Sequence, residues 1–125
     1  MRFGRNHPHK TNGKKRSGQW VSIRKEHLQK FPECEVCGAK QGDKGYDGKP
    51  VLVEVHHIKP FHEHPELELK PQNLITLCER SRDGSNHHLL IGHADNFKGW
   101  NPDVVVTASI LKHQILANKK RIKAR

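Results

Sequence analysis

The chain has little apolar and aromatic material, and this limits what kind of protein it can be. Hydrophobic residues make up 33% of its 125 residues and aromatic residues 6%. A single small domain with so lean a core often needs an additional staple, such as a structural metal ion. No apolar run approaches the length of a membrane span, and no apolar stretch follows the basic N-terminus as it would in a signal peptide. We therefore expect a cytoplasmic protein that does not associate with membranes.

Cysteine is also scarce, and the three cysteines rule out a complete set of disulfides. Cys34 and Cys37 form a Cys-x-x-Cys pair followed by Gly38, and Cys78 lies far along the chain. The glycine permits the tight turn that brings two thiolates to one ion, and a third thiolate suits a tetrahedral zinc site. Free thiols in a small core and a redox-active pair are the alternatives, although the redox pair lacks the βαβ context that it needs.

Acidic residues are outnumbered, 13 against 23 lysines and arginines, which gives a formal net charge of +10. The excess lies at the two ends: residues 1–30 have a net charge of +8 and residues 111–125 one of +6, whereas residues 31–110 sum to −4. Two basic ends suit a polyanionic partner whose phosphates release counterions on contact. A ribosomal-type or merely soluble basic protein would show the same charge.

The pattern of apolar residues predicts helices at both ends and a short sheet between them. Trp20, Ile23 and Phe31 recur at helical spacing before Pro32, while residues 1–16 are polar and predict a basic flexible arm. The predicted elements are a helix from residue 17 to 31, strands at 51–57 and 74–78, and helices at 86–95 and 103–124. The expected fold class is α+β within a single domain, residues 17–125.

Two adjacent histidines, His56 and His57, close the first predicted strand. Neighbouring side chains on a strand point to opposite faces. One imidazole can therefore bind a metal ion while the other faces elsewhere and acts as a base.

Four motifs together resemble the HNH endonucleases of the ββα-metal, or His-Me finger, class. They are the Cys-x-x-Cys pair, Val-His-His-Ile-Lys-Pro at 55–60, Pro-x-Asn-Leu-Ile-x-Leu-Cys at 71–78 and Asn-x-His-x-x-x-x-Gly-His within 86–93. The resemblance spans roughly residues 16–103. It implies a ββα-metal core at residues 51–95 with zinc knuckles at 34–37 and 78–87.

The resemblance also assigns roles to individual residues. It implies that His56 and His88 bind a catalytic divalent ion (Mg²⁺, Mn²⁺, Ni²⁺ or Zn²⁺) and that His57 is the general base. Asn73 would orient that base through its side-chain or backbone carbonyl. Colicin-type relatives add a histidine four residues after the helical ligand, but that position is Gly92 here. His93 would reach the metal only through a distorted turn, since it is one residue late on an α-helix; otherwise it orients a neighbour or contacts phosphate.

The sequence identifies the fourth ligand of the structural zinc less directly than the three cysteines. Many relatives have a cysteine three residues after the third one, and here that position is Ser81. A subset of the family ends this region with Asn-Cys-His, and His87 stands in the place of that cysteine. The implied structural zinc set is therefore Cys34, Cys37, Cys78 and His87.

The implied activity is hydrolysis of DNA phosphodiester bonds to 5′-phosphate and 3′-hydroxyl ends, with contacts mainly to the backbone and low sequence specificity. Lys59, Lys98 and Arg24 are the expected DNA-binding residues. The setting would be the cytoplasm of a bacterial or phage-infected cell, with a packaging or restriction complex as a protein partner. The alternatives are a non-catalytic, zinc-stabilised nucleic-acid-binding module and an enzyme of the same fold that acts on RNA.

Overall fold

The computed structural model describes residues 17–96 and 98–123 of the chain. Within them lie two α-helices, a two-stranded antiparallel sheet, two short 3₁₀ turns and one π-helical turn. In chain order these are α1 (Trp20–Lys30), β1 (Leu52–His57), the 3₁₀ turns (Pro65–Leu67 and Pro71–Asn73), β2 (Leu74–Arg80), the π turn (His88–Gly92) and α2 (Val104–Lys123). The predicted arm, residues 1–16, lies outside the described residues. The expected α+β fold with helices at both ends is confirmed.

The hairpin of β1 and β2 is the centre of the fold. His57 pairs with Leu74 next to the connection, and the register continues regularly to Val53, which pairs with Cys78. The next pair is Leu52 with Arg80, so Glu79 is the extra residue of a β-bulge. The second strand is two residues longer than predicted, because pairing continues past the bulge.

The core lies between this hairpin, the cysteine-containing turn, the π turn and α2. Buried apolar residues come from all four parts, and they form one cluster. It consists of Cys34, Val36, Ala39, Val51, Val53, Ile75, Leu77, Cys78, Ile91, Val104 and Ala108. Cysteine side chains are thus part of the core itself.

Both terminal helices are present, but α1 begins at Trp20, three residues later than predicted. α1 ends at Lys30, two residues before Pro32, and the Phe31 N–H still donates to the His27 carbonyl. α2 places Val104 and Ala108 in the core and leaves the other faces of its first turns exposed. Neither of the two described helices is both apolar and long enough to cross a bilayer.

Candidate metal centres and active site

The three cysteines and His87 form one compact cluster. One ligand atom from each of the four residues lies within 4.8 Å of the others. The Sγ atoms of Cys37 and Cys78 are 3.9 Å apart, and His87 Nδ1 lies 3.1 Å from Cys78 Sγ and 3.8 Å from Cys34 Sγ. Tetrahedral Zn²⁺ with Zn–S bonds of about 2.3 Å needs sulfur–sulfur separations of about 3.8 Å. The cluster is therefore compatible with a zinc site, and His87 faces it through Nδ1.

A tight turn holds the first two cysteines. Gly38 adopts φ +75°, which a residue with a side chain rarely does, and its N–H donates to the Cys34 carbonyl at 2.9 Å. The Val36 N–H lies 3.4 Å from Cys34 Sγ, so the backbone also donates toward that sulfur. Cys78 comes from β2 and His87 from the residue before the π turn. Three separate parts of the chain therefore meet at the cluster.

The protonation of the cluster favours a cation. Hydrogen bonds from Cys37 and Cys78 lower the pKa of Cys34, whereas its hydrogen bonds with Cys34 and Cys37 raise the pKa of Cys78. Burial opposes charge on His87, yet its hydrogen bonds with Cys34 and Cys37 raise its pKa to about 9. The two shifts are opposed, because a thiolate at Cys34 disfavours a second thiolate at Cys78. A divalent cation removes that conflict, since it stabilises all the thiolates at once.

A second cluster consists of imidazoles alone. His56 from β1, His88 from the start of the π turn and His93 directly after it each bring a ring nitrogen within 4.8 Å of the others. The His88 and His93 Nε2 atoms are 3.1 Å apart, and the ring centroids are 4.7–5.1 Å apart. All three residues are buried, at 1–6% exposure. Three neutral imidazoles with open coordination positions are a suitable set for a catalytic transition-metal ion.

The predicted helix at 86–95 is wrong, and the reason explains His93. The chain forms a single π turn, in which the His93 N–H donates to the His88 carbonyl, five residues back, at 3.1 Å. An α-helix would place residues 88 and 93 on different faces, but the wider π turn brings them together. The distorted turn that His93 needed is thus present, and His93 joins the cluster.

Gly92 permits this arrangement. A Cβ atom at position 92 would lie 3.1–3.2 Å from three atoms of the His56 ring, closer than carbon atoms normally approach. Gly92, at the position that has a histidine in colicin-type relatives, therefore packs directly against the His56 imidazole.

A backbone carbonyl fixes the tautomer of His93. Its Nδ1–H donates to the Gly99 carbonyl at 2.9 Å, which leaves Nε2 as the nitrogen that faces the cluster without a proton.

His57 lies outside the imidazole cluster, although it adjoins His56. Its Nε2 is 2.9 Å from the Glu68 carbonyl, and its ring packs against Trp20 with the centroids 4.5 Å apart. The carbonyl can only accept, so Nε2 bears the proton and Nδ1 is left as the acceptor. The two adjacent imidazoles therefore diverge. His56 faces the imidazole cluster, whereas His57 is half-buried and has its Nδ1 as an acceptor.

The contacts of Asn73 differ from those expected. Its side-chain oxygen accepts the Lys59 N–H at 2.8 Å, and its amide nitrogen donates to the carbonyls of Lys59 and Leu67. The carbonyl that contacts His57 Nε2 is that of Glu68 rather than that of Asn73. Asn73 is 5% exposed and pins together the segment after His57 and the loop before β2. Asn73 therefore holds the backbone segments next to His57 and Glu68.

Glu68 and Trp20 were missed as parts of the site. The Glu68 carboxylate, almost completely buried, accepts the Ser17 N–H at 3.1 Å while its carbonyl accepts from His57. No sequence pattern predicts that the backbone carbonyl of Glu68 accepts a hydrogen bond from the His57 ring. The helical spacing that includes Trp20 does not indicate its contact with His57, because that contact depends on how α1 packs against β1.

The three expected DNA-binding residues differ in their surroundings. Lys59 and Lys98 are exposed. Arg24 instead forms an ion pair with Glu54 of β1, with Nη2 and Nε both 2.7 Å from Oε1, and its side chain is 19% exposed. The Arg24 charge is largely balanced within the domain, which weakens the expectation that it contacts phosphate.

Comparison with known proteins agrees with these motifs. Residues 34–80 match the family model described as HNH endonuclease, a segment that includes the three cysteines, the histidine pair and Asn73. Searches of curated proteins and of solved structures found no match. The sequence motifs and the family match thus agree that residues 34–80 are similar to an HNH endonuclease domain.

Proposed function

We propose that this domain is a divalent-metal-dependent endonuclease that hydrolyses DNA phosphodiester bonds, with His57 as the general base. The observation that carries the proposal is the divergence of the adjacent histidines. His56 contributes to the buried imidazole cluster, whereas His57 keeps its Nδ1 as a proton acceptor through the contact of Nε2 with the Glu68 carbonyl. A zinc module that only bound nucleic acid would need neither feature.

His56, His88 and His93 would hold the ion. When bound, it supplies charge neutralisation at the scissile phosphate and helps the 3′-oxygen to leave. A neutral imidazole is suited to take a proton from water near neutral pH, and His57 would do so at Nδ1. The Trp20 ring and the Glu68 carbonyl hold the His57 ring in one orientation while that proton moves. The products would have 5′-phosphate and 3′-hydroxyl ends.

The charge distribution supports a DNA substrate bound through its backbone. The termini are strongly basic, and Lys59 follows the histidine pair by two residues with an exposed side chain. Lysines that contact phosphates position a duplex without reading its sequence. We therefore propose low sequence specificity, with Lys59 and Lys98 as phosphate contacts, and a cytoplasmic site of action.

Nicking of supercoiled plasmid by the purified, zinc-loaded protein with Mn²⁺, Mg²⁺ or Ni²⁺ tests the proposal. We expect His57→Ala to reduce the cleavage rate by several orders of magnitude, since general-base catalysis contributes about 10²–10⁴-fold and positioning of the nucleophile is lost with it. His113→Ala is the matched control, because His113 is an exposed histidine on α2 whose Nδ1 contacts the Ser109 carbonyl of its own helix.

Thermal unfolding and DNA binding should be the same for His57→Ala and the parent protein. If His57→Ala cuts at the parental rate, the assignment of the base is wrong. If the parent protein binds DNA but does not cut it with any of the three ions, the domain is the non-catalytic module instead.

A further inference from the structure

His88 is the most buried ring of the imidazole cluster, and its two nitrogens have different surroundings. Its Nε2 is 3.1 Å from His93 Nε2, so this nitrogen faces the cluster. Its Nδ1 points to the opposite side of the ring, where the Glu79 Oε1 lies 3.4 Å away. The side chains are 2% and 7% exposed, so the pair is inside the domain. Buried polar atoms are rarely left without a hydrogen-bond partner, and the carboxylate is suited to that role for Nδ1.

We propose that Glu79 is a positioning residue for the imidazole cluster: its carboxylate holds the Nδ1–H of His88, so that Nε2 is the nitrogen presented to a divalent cation. The inference rests on the proposed function only in so far as the cluster binds such a cation; it does not require that DNA is cut.

The β-bulge of the hairpin places Glu79 there. In a regular strand, successive side chains point to opposite faces, so Cys78 and Glu79 would diverge. The register instead steps from Val53–Cys78 to Leu52–Arg80, with Glu79 as the extra residue. Bulges re-aim a side chain, and they are common next to active sites. Here the adjacent residues Cys78 and Glu79 contact the adjacent residues His87 and His88.

A carboxylate contributes more to a metal ligand than a carbonyl does. His93 donates its Nδ1–H to the neutral Gly99 carbonyl, whereas the acceptor at His88 is an acid. An anion behind the ring offsets part of the positive charge that a dication brings into a buried site, and such outer partners orient the ligand. We therefore expect Glu79 to raise the affinity of the cluster for metal as well as to fix the tautomer of His88.

The chain offers a matched control. Glu66 makes a similar contact, with its Oε2 3.3 Å from His64 Nδ1, but its side chain is 65% exposed, and neither residue belongs to either cluster. Glu66→Ala therefore removes a carboxylate–imidazole contact without touching the proposed metal centre.

The experiment is isothermal titration of Ni²⁺ into zinc-loaded protein, for the parent, Glu79→Ala, Glu79→Gln and Glu66→Ala. Loss of such an outer partner commonly weakens metal binding by about 10–100-fold, and we expect that increase in Kd for Glu79→Ala. Glu79→Gln keeps an oxygen acceptor, so its Kd should lie between those of the parent and of Glu79→Ala. Glu66→Ala should bind as the parent does.

Long-range ¹H–¹⁵N spectra of the protein without Ni²⁺ separate positioning from a merely structural role. We expect His88 Nδ1 to bear a proton in the parent and in Glu79→Gln, and to lose that proton in part of the population of Glu79→Ala. A folded Glu79→Ala protein with the parental Kd would overturn the proposal. If Glu79→Ala does not fold, parental affinity in Glu79→Gln overturns it. Ni²⁺ binding that depends on Glu79 in a protein that cuts no DNA would refute the proposed function alone.

Discussion

The cysteine cluster and the histidine cluster are neighbours built from adjacent residues, yet they differ in composition. Cys78 and His87 belong to the first, while His88 of the second directly follows His87. The first has four ligands and is closed, and soft thiolates dominate it. The second has three imidazoles and leaves coordination positions for water and phosphate. Closed four-ligand sets are typical of structural zinc, whereas open three-ligand sets are typical of catalytic ions. On the proposed function, ligand number would thus distinguish a stabilising site from a catalytic one within a few residues.

The largest effect is expected from a substitution that removes a ligand of the cysteine cluster. Cys34→Ser removes a zinc ligand that is also a core residue, with 2% exposure. Because zinc binding contributes to folding itself, we expect this variant to be unfolded at 25 °C by circular dichroism. Ser81→Ala, which changes the position where many relatives have a cysteine, should retain zinc and remain folded. An unchanged melting temperature for Cys34→Ser would remove the structural role of the cluster.

Stepwise removal of metal should separate the two clusters next. Protein loaded with both ions is treated with increasing EDTA, and zinc content, nicking and circular dichroism are followed together. The three-imidazole site should lose its ion first, since it has fewer ligands and no thiolate, so nicking should disappear while the fold persists. Zinc loss and unfolding should follow together at higher chelator concentration. Simultaneous loss of cleavage and fold would contradict the division into two roles.

A smaller effect is expected at Gly92, which contacts the histidine cluster but not the cysteine cluster. Gly92→Ala places a Cβ atom about 3.1 Å from the His56 ring, which must then move. We expect weaker Ni²⁺ binding, by roughly tenfold if the displaced ligand loses about 1.4 kcal/mol, with zinc content unchanged. Gly18→Ala is the control, because a Cβ there meets nothing within 4 Å. Parental Ni²⁺ affinity in Gly92→Ala would show that His56 tolerates displacement.

The smallest effect concerns substrate binding rather than either cluster. Lys59→Ala and Lys98→Ala should each reduce the slope of log K against log salt for DNA binding by about 1, since one phosphate contact is lost. Arg24→Ala should change that slope less, because its guanidinium is paired with Glu54. A larger change for Arg24→Ala than for the lysines would reverse this ranking.

The sequence predicted most of the fold, because the fold depends on short motifs and on simple periodicity. The resemblance to HNH endonucleases implied both groups of residues that the structure brings together, with His93 left open. Strand alternation predicted the divergence of His56 and His57. The π turn could not be predicted, since apolar spacing over so few residues does not distinguish it from an α-helix, and His93 stayed open for that reason. The residue sequence of β2 does not indicate the bulge at Glu79. The Glu68 carbonyl is a backbone atom whose position depends on the loop path rather than on residue type.

The divergence of the histidine pair is tested most directly by counting ions. Native mass spectrometry of zinc-loaded protein titrated with Ni²⁺ would compare the parent with His56→Ala and His57→Ala. We predict one further ion in the parent and in His57→Ala, with cleavage only in the parent, and no further ion in His56→Ala. Loss of the second ion from His57→Ala, or its retention at parental affinity in His56→Ala, would contradict the assignment of the two rings.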